Sequence, residues 1–552
     1  MAKTVPVRFE PHGVTVWVEC GSTLLEAARK AAEPIDAPCA GRGVCGGCAV
    51  RITSGSVAPP DEQELVGLRR APSGVRLACR AVVQGPVTVC PVVPRATHAF
   101  VPGTRAKTRA EPAAGQVPLV AAIDLGTSTV GAVVIERDSR VEVGRGVVSN
   151  RQSGWGADVL SRVSSACAGE GEPLRKAAET SVLDALAAAC TDEGLCLKGI
   201  ERLVIAGNSA MTGLLLGVDV SGLAAYPFTT PTSGQRPLPA DSAIVAALPP
   251  GAATVVLPPL AGFVGGDVVA GLVAEGLDAG GSALFVDLGT NAEVADAKEG
   301  RFTVASAAAG PAFEGGGLSS GGPAVAGAIE RVAFDPEHGL NVEVVGGGAP
   351  LWLCGSGFVS AMALLRRLGH MGEDGLLLPE GPLAERMSVR DGVRTFTIAS
   401  GSPQPGAGPA FEDGWPDVVV TQLDVRALQL AKAAVRSAIE AVSSRARAVG
   451  NDHVEEAEDL DVIIAGGFGS ALAVDDLVDL GVLPTEFRRR ARVAGNASLL
   501  GVAMIAVDAE LEDNAARLVG HMEHIELALE EGFTGRYLSA LSLAPYSLGS
   551  KT

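Results

Sequence analysis

The tetrapeptide Asp-Leu-Gly-Thr occurs twice, at residues 124–127 and 287–290, and each copy joins two short apolar runs. Around the first copy the runs are V-A-A-I and S-T-V-G-A-V-V-I; around the second they are A-L-F-V and N-A-E-V. Strand-turn-strand is the expectation for both, and a repeat at this scale predicts a duplicated βββαβα unit. Most of the chain is thereby restricted to α/β architecture. Each turn aims backbone N–H groups and a Thr hydroxyl at one point, which makes a nest for phosphate oxygens. Its Asp is placed to hold a metal-bound water or to orient an attacking one. Asp124, Gly126, Thr127 and Ser128 in the first copy, and Asp287, Gly289, Thr290 and Asn291 in the second, are the phosphate and Mg2+ candidates. Glu293 competes with the two Asp residues for positioning the water. Neither a G-x4-G-K-[ST] loop nor a strand feeding G-x-G-x-x-G into a helix is found in the right context.

Two further glycine turns extend this pattern. V-I-I-A-G-G-F-G-S-A-L (462–472) is a buried strand running into Gly466, Gly467 and Gly469, whose missing Cβ atoms let backbone approach a flat base and ribose. L-C-G-S-G-F-V-S-A-M (353–362) places Gly355, Ser356 and Gly357 at a helix N-terminus, a position suited to phosphate. The set resembles the superfamily of acetate kinase, sugar kinases, heat-shock ATPases and actin. That resemblance implies two RNase H-like lobes with ATP in the cleft: the first D-L-G-T is phosphate-1, the second phosphate-2, and A-G-G-F-G the adenosine motif.

The N-terminal stretch carries a different chemistry. In P-C-A-G-R-G-V-C-G-G-C, Cys39, Cys45 and Cys48 are spaced C-x5-C-x2-C, and Cys79 follows in L-A-C-R. Three thiols on one Gly-rich loop plus one from further along suit a 2Fe-2S cluster. A zinc site more often shows two C-x2-C pairs, so zinc is the lesser reading. Cys20, Cys90, Cys167, Cys190, Cys196 and Cys354 are read as single reduced thiols, mostly in apolar surroundings. Residues 4–10 and 14–18 alternate around His12-Gly13 as a hairpin, and Ser22 opens a helical run. Hairpin, helix, cluster loop, strand and late Cys resemble the β-grasp ferredoxins, in the C-x5-C-x2-C spacing of the adrenodoxin branch.

The 552 residues exceed a single core. The expected division is a ferredoxin-like domain over 1–92, a linker over 93–118 rich in Pro, Ala, Thr and basic residues, a first RNase H-like domain over 119–202, and an actin-like ATPase domain over 203–552. A formal charge of −19 argues against nucleic acid and anionic membrane as partners. No leader and no uncharged apolar run of spanning length is seen, so a cytoplasmic protein is expected. The helical period of residues 421–442 puts Asp424, Arg426, Lys432 and Arg436 on a solvated face. His521 and His524 are read as surface residues of a terminal helix.

G-N-S-A-M (207–211) after the strand L-V-I-A, then D-L-G-T-N-A-E, A-G-P-A-F-E-G and A-G-G-F-G, all behind a ferredoxin, are similar to the reductive activators of corrinoid proteins. The resemblance covers essentially the whole chain. G-N-S-A-M departs from the usual Thr pair, and the turn at Gly321-Gly322-Pro323 is glycine-richer than the family's, which leaves the fine contacts there open. What the resemblance implies is ATP-dependent reduction of Co(II) to Co(I) in a corrinoid methyltransferase protein. The electron would pass through the 2Fe-2S cluster from an external low-potential donor, and a homodimer is allowed. Plant-type 2Fe-2S centres lie near about −400 mV, so ATP must supply drive. An ATP-dependent donor to a non-corrinoid reductase and a redox-sensing ATP-binding module are the alternatives.

Overall fold

The computed structural model describes residues 3–10, 13–31, 33, 35, 37, 39–43, 47–68, 74–91, 118–191, 195–390, 392–401, 417–449, 460–467 and 471–548. The expected linker falls almost wholly outside them. The chain forms two compact units, one running to Gly266 and the other from Asp267 on.

The first unit begins with a five-stranded sheet. Strands β1 (Thr4–Phe9) and β2 (Val14–Glu19) form the expected hairpin, and β3 (Ala49–Val57), β4 (Arg76–Leu77) and β5 (Val83–Pro91) complete the order β2-β1-β5-β3-β4. Period-2 alternation buries Val5, Val7 and Phe9 of β1. They pack against Leu24 and Leu25 of helix α1 (Leu24–Ala31). Thr23 and Glu26 open this helix with reciprocal bonds, Glu26 N to Thr23 Oγ1 at 3.2 Å and Thr23 N to Glu26 Oε2 at 2.7 Å. This is a capping box, set one residue after the expected Ser22.

A second sheet of the same unit joins β6 (Leu119–Leu125), β7 (Thr129–Glu136), β8 (Val141–Ser149), β9 (Ile200–Gly207) and β10 (Ala253–Val256) in the order β10-β9-β6-β7-β8. β7 is antiparallel to β6 and β8, whereas β9 and β10 run parallel to β6. The boundary expected at residue 202 is therefore displaced: β9 crosses it and β10 lies beyond it, because parallel neighbours need long crossovers. Helix α2 (Gly171–Thr191) supplies one crossover.

In the second unit β11 (Ala283–Leu288), β12 (Ala292–Lys298), β13 (Arg301–Ala307), β14 (Asp461–Ala465) and β15 (Ala491–Gly495) repeat that pattern, in the order β15-β14-β11-β12-β13. β16 (Met522–His524) adds a sixth strand, parallel to β13. His524 thus lies in a strand rather than a terminal helix, half-buried, and burial lowers its pKa. Two three-stranded sheets, over residues 328–353 and 387–421, complete the unit. The fold is a β-grasp ferredoxin domain followed by duplicated RNase H-like sheets.

Helix α6 (Gln422–Val449) corrects the expected solvated face. Asp424, Lys432 and Arg436 are buried, whereas Arg426 is exposed as expected and donates to the Asp374 carbonyl. Asp424 accepts the Ser319 and Thr421 amides, each at 2.8 Å. Arg436 stacks on Tyr546 with its guanidinium carbon 3.8 Å from the ring centroid. Periodicity cannot show a second layer covering the polar side, and here residues 541–546 provide one. Lys432 donates to the Ser542 carbonyl; burial, then the Arg436 charge, lower its pKa from 10.5 to about 7, opposed by Glu440. Between those values the unfolded chain binds the extra proton, so stability rises with pH across that window and levels off below it. Lys432→Met is expected to stabilise the protein at pH 7 by roughly 1–4 kcal/mol and to flatten this slope. Thermal unfolding at pH 7 and pH 9 checks it; an unchanged slope would reject the assignment.

Candidate functional site

The first Asp-Leu-Gly-Thr turn joins β6 to β7. A Cβ on Gly126 would lie 2.7 Å from the Thr129 carbonyl oxygen, which explains the glycine. Asn208 Nδ2 donates to Thr127 Oγ1 at 3.1 Å, while Asn208 Oδ1 accepts from Met211 N and caps helix α3 (Ser209–Leu216). Asn150 is fully buried; its Nδ2 donates to Gly126 O at 2.8 Å and its backbone N to Ser128 O at 2.9 Å. The same amide lies 3.8 Å from Met211 Sδ, which also accepts from Arg162. The Asn and Met of G-N-S-A-M are thereby explained as supports of this turn. Asn150 was missed because no local pattern marks it: β8 brings it back from 24 residues away.

The second turn joins β11 to β12 and is more acidic. Thr290 Oγ1 donates to Glu314 Oε2 at 2.6 Å, and Thr290 O accepts from Gly310 N at 2.8 Å. Asp287 and Glu293 are register partners across the hairpin. Glu293 is buried and accepts from Ser306 Oγ at 3.0 Å. Burial, followed by the charges of Asp267 and Asp287, pushes its carboxyl well up. Asp267, at the start of helix α4 (Gly266–Ala274), and Glu314, from A-G-P-A-F-E-G, are additions to the candidates. Glu314 stood within a quoted motif; Asp267 had no sequence signal. Among the described residues no three or more His, Cys, Asp or Glu side chains are gathered closely enough to hold a metal ion by themselves.

Gly466 and Gly467 follow β14. Gly466 has φ 143° and bonds Gly495 O at 3.0 Å, whereas a Cβ on Gly467 would meet nothing within 4 Å. Gly469 lies outside the described residues. Gly355, Ser356 and Gly357 open helix α5 (Gly355–Arg367), but all three are buried. A Cβ on Gly355 would lie 1.7 Å from Phe313 O, and one on Gly357 1.9 Å from Ile329 O. These two glycines have a packing reason to be glycine.

Cys39, Cys48 and Cys79 are all buried in the ferredoxin domain, and Cys48 Sγ lies 3.3 Å from Cys79 Sγ. Cys45 lies outside the described residues. Gly41 (φ 89°) and Gly43 (φ 75°) give the loop left-handed turns that a side chain resists. Converging thiols on such a loop fit an iron-sulfur cluster. Of the other thiols, Cys190 and Cys354 are buried as expected, whereas Cys167 and Cys196 are exposed. Among the described residues no helix is long and apolar enough to cross a membrane.

Residues 7–84 match the family described as the 2Fe-2S iron-sulfur cluster binding domain, 119–280 the RACo middle region, and 281–549 the C-terminal domain of RACo, the ASKHA domain. The corrinoid activation enzyme RamQ of Eubacterium limosum is 32% identical over 428 residues, covering 76% of this chain and 69% of that protein. A solved structure described as a reductive activator for corrinoid, iron-sulfur protein shares the fold with TM-score 0.70 at 23% identity, over 98% of each chain. A buried thiol loop, two matching turns on duplicated sheets and these three segments in order place the chain in the RACo family, the reductive activators of corrinoid proteins.

Proposed function

We propose that this chain reduces the Co(II) corrinoid of a methyltransferase-system protein to Co(I), using ATP and an electron from an external low-potential donor. The observation that supports this most directly is the occurrence in one chain of a buried thiol trio and two polar-supported Asp-Leu-Gly-Thr turns. A 2Fe-2S cluster held by Cys39, Cys45, Cys48 and Cys79 supplies one-electron redox chemistry when bound.

The remaining work falls to the chain's own residues. Thr127, whose hydroxyl accepts from Asn208 and keeps its own proton, is assigned to donate to a phosphate oxygen, whereas Thr290, whose hydroxyl proton goes to Glu314, is assigned backbone amides. Asp124 and Asp287 are the carboxylates assigned to Mg2+ or its water, and Glu293, the register partner of Asp287, competes with them for orienting the attacking water. Gly466 and Gly467 admit the adenosine. ATP drives the reduction only through its differential affinity for the activator's states.

The test follows the visible spectrum of a Co(II) corrinoid protein anaerobically, with this protein and a reductant, with and without Mg-ATP. Co(I) is expected only with ATP, and Asp287→Asn is expected to lower ATP turnover by at least about 100-fold. Wild-type turnover in both Asp124→Asn and Asp287→Asn would overturn the site; absence of Co(I) across several corrinoid proteins would overturn the activity.

A further inference from the structure

The short helical turn Arg151–Trp155 lies in the first unit, against the Asp-Leu-Gly-Thr turn at one end and the ferredoxin domain at the other. At its start, Asn150 receives the nucleotide turn through Gly126 O and Ser128 O and begins the helical turn by accepting Gln152 N at 3.0 Å. At its end, Gly154 O accepts both Nε and Nη2 of Arg29, at 2.9 and 2.8 Å. The same guanidinium carbon sits 5.4 Å from the centroid of the buried Trp155 ring. Ser153 O accepts Ala37 N at 3.2 Å, and Ala37 O accepts Ala40 N at 2.7 Å, within the cluster loop. An unbroken series of direct bonds therefore runs from the phosphate turn to the residues around Cys39.

The connecting turn is stiff. Arg151 N donates to Ser181 Oγ at 2.9 Å, its guanidinium pairs with Asp184 at 2.6 Å, and Gln152 Nε2 donates to Leu174 O at 3.0 Å, all on α2. These bonds hold to α2 the turn that joins Asn150 to Gly154 O. Arg29 lies within electrostatic reach of Cys79, with Glu26 and Glu170 as its other acidic neighbours. A cation near the thiolates favours the more negative, reduced cluster, so the position of Arg29 bears on the cluster's potential.

We propose that the turn Arg151–Trp155, through Asn150 and Arg29, links nucleotide binding at the first Asp-Leu-Gly-Thr turn to the redox state of the cluster. This rests on the nucleotide reading above and adds a route to it. The two states of the link are Arg29 bonded to Gly154 and Arg29 released, and both sites bias that pair. Linkage is reciprocal: the factor by which reduction changes nucleotide affinity equals the factor by which nucleotide changes the reduction equilibrium.

The full-length holoprotein tests this with a non-hydrolysable ATP analogue and Mg2+. Analogue affinity is measured for the oxidised and dithionite-reduced protein, and the cluster's midpoint potential with and without analogue. A difference of about fivefold in affinity is expected, matched by a shift of roughly 40 mV, since tenfold corresponds to 59 mV for one electron. Arg29→Met is expected to erase both differences while leaving the oxidised protein's analogue affinity within about twofold; Arg29→Lys is expected to restore part of the shift. Equal affinities and an unmoved potential in a wild-type protein that binds analogue would overturn the link. A full shift in Arg29→Met would overturn the route. Failure of either form to bind analogue would remove the nucleotide reading and this inference with it.

Discussion

Replacing Cys79 by alanine is expected to strip the visible absorption of the 2Fe-2S centre from the purified chain and to reduce Co(I) formation to background. The size of the effect follows from the chemistry: cluster irons are held by thiolates, and alanine offers no ligand. Cys79 Sγ lies 3.3 Å from Cys48 Sγ in a buried setting. Cys90→Ala is the control, since this thiol is half-buried on β5 and bonds only its neighbour Pro91's carbonyl in the described residues. Iron content per chain and the absorption spectrum decide the matter. Full iron and colour in the Cys79→Ala protein would remove Cys79 from the ligand set.

A pair of glycine substitutions should give opposite signatures. Gly355→Ala puts a methyl 1.7 Å from Phe313 O and 2.7 Å from its carbonyl carbon, backbone atoms at the foot of α5 that cannot swing aside. The expected cost exceeds about 4 kcal/mol, a large part of a typical domain's 5–15 kcal/mol. The protein should be insoluble or melt far earlier. Gly467→Ala meets nothing within 4 Å, so its melting temperature should stay within about 2 °C, while ATP affinity falls roughly tenfold as the new methyl occupies space open to the base and ribose. Thermal denaturation and nucleotide titration on both variants check this. Normal stability in Gly355→Ala would show that α5 has room to move, and unchanged affinity in Gly467→Ala would move the adenosine site elsewhere.

That contrast also marks what was legible in the sequence. Duplicated sheets follow from two identical turns between apolar runs, since strand order is fixed by the pairing such a unit allows, and both sheets have it. The ferredoxin domain follows from cysteine spacing. Gly355 and Gly467 look alike on paper, each in a Gly-rich turn beside a buried element. Only tertiary packing separates a glycine pressed against a carbonyl from one facing open space. Asn150 and Asp267 were invisible for a related reason: each reaches its turn or carboxylate from a distant element. Lys432 and Arg436 misled because their polar face is covered by residues more than 100 positions later.

The placement of β16 has a consequence for how the protein is made. All five strands of the first duplicated sheet lie between residues 119 and 256, so that sheet can close soon after it leaves the ribosome. The second cannot. Its central strand, Ala283–Leu288, must wait for Asp461–Ala465 to pair on one side, and the outer edge of Arg301–Ala307 is covered only when Met522–His524 emerges. During that interval an apolar strand displays unpaired backbone, the situation in which chains add to one another edge to edge. Chaperone demand during synthesis should therefore concentrate on the interval after residue 307, when three strands exist and their neighbours do not.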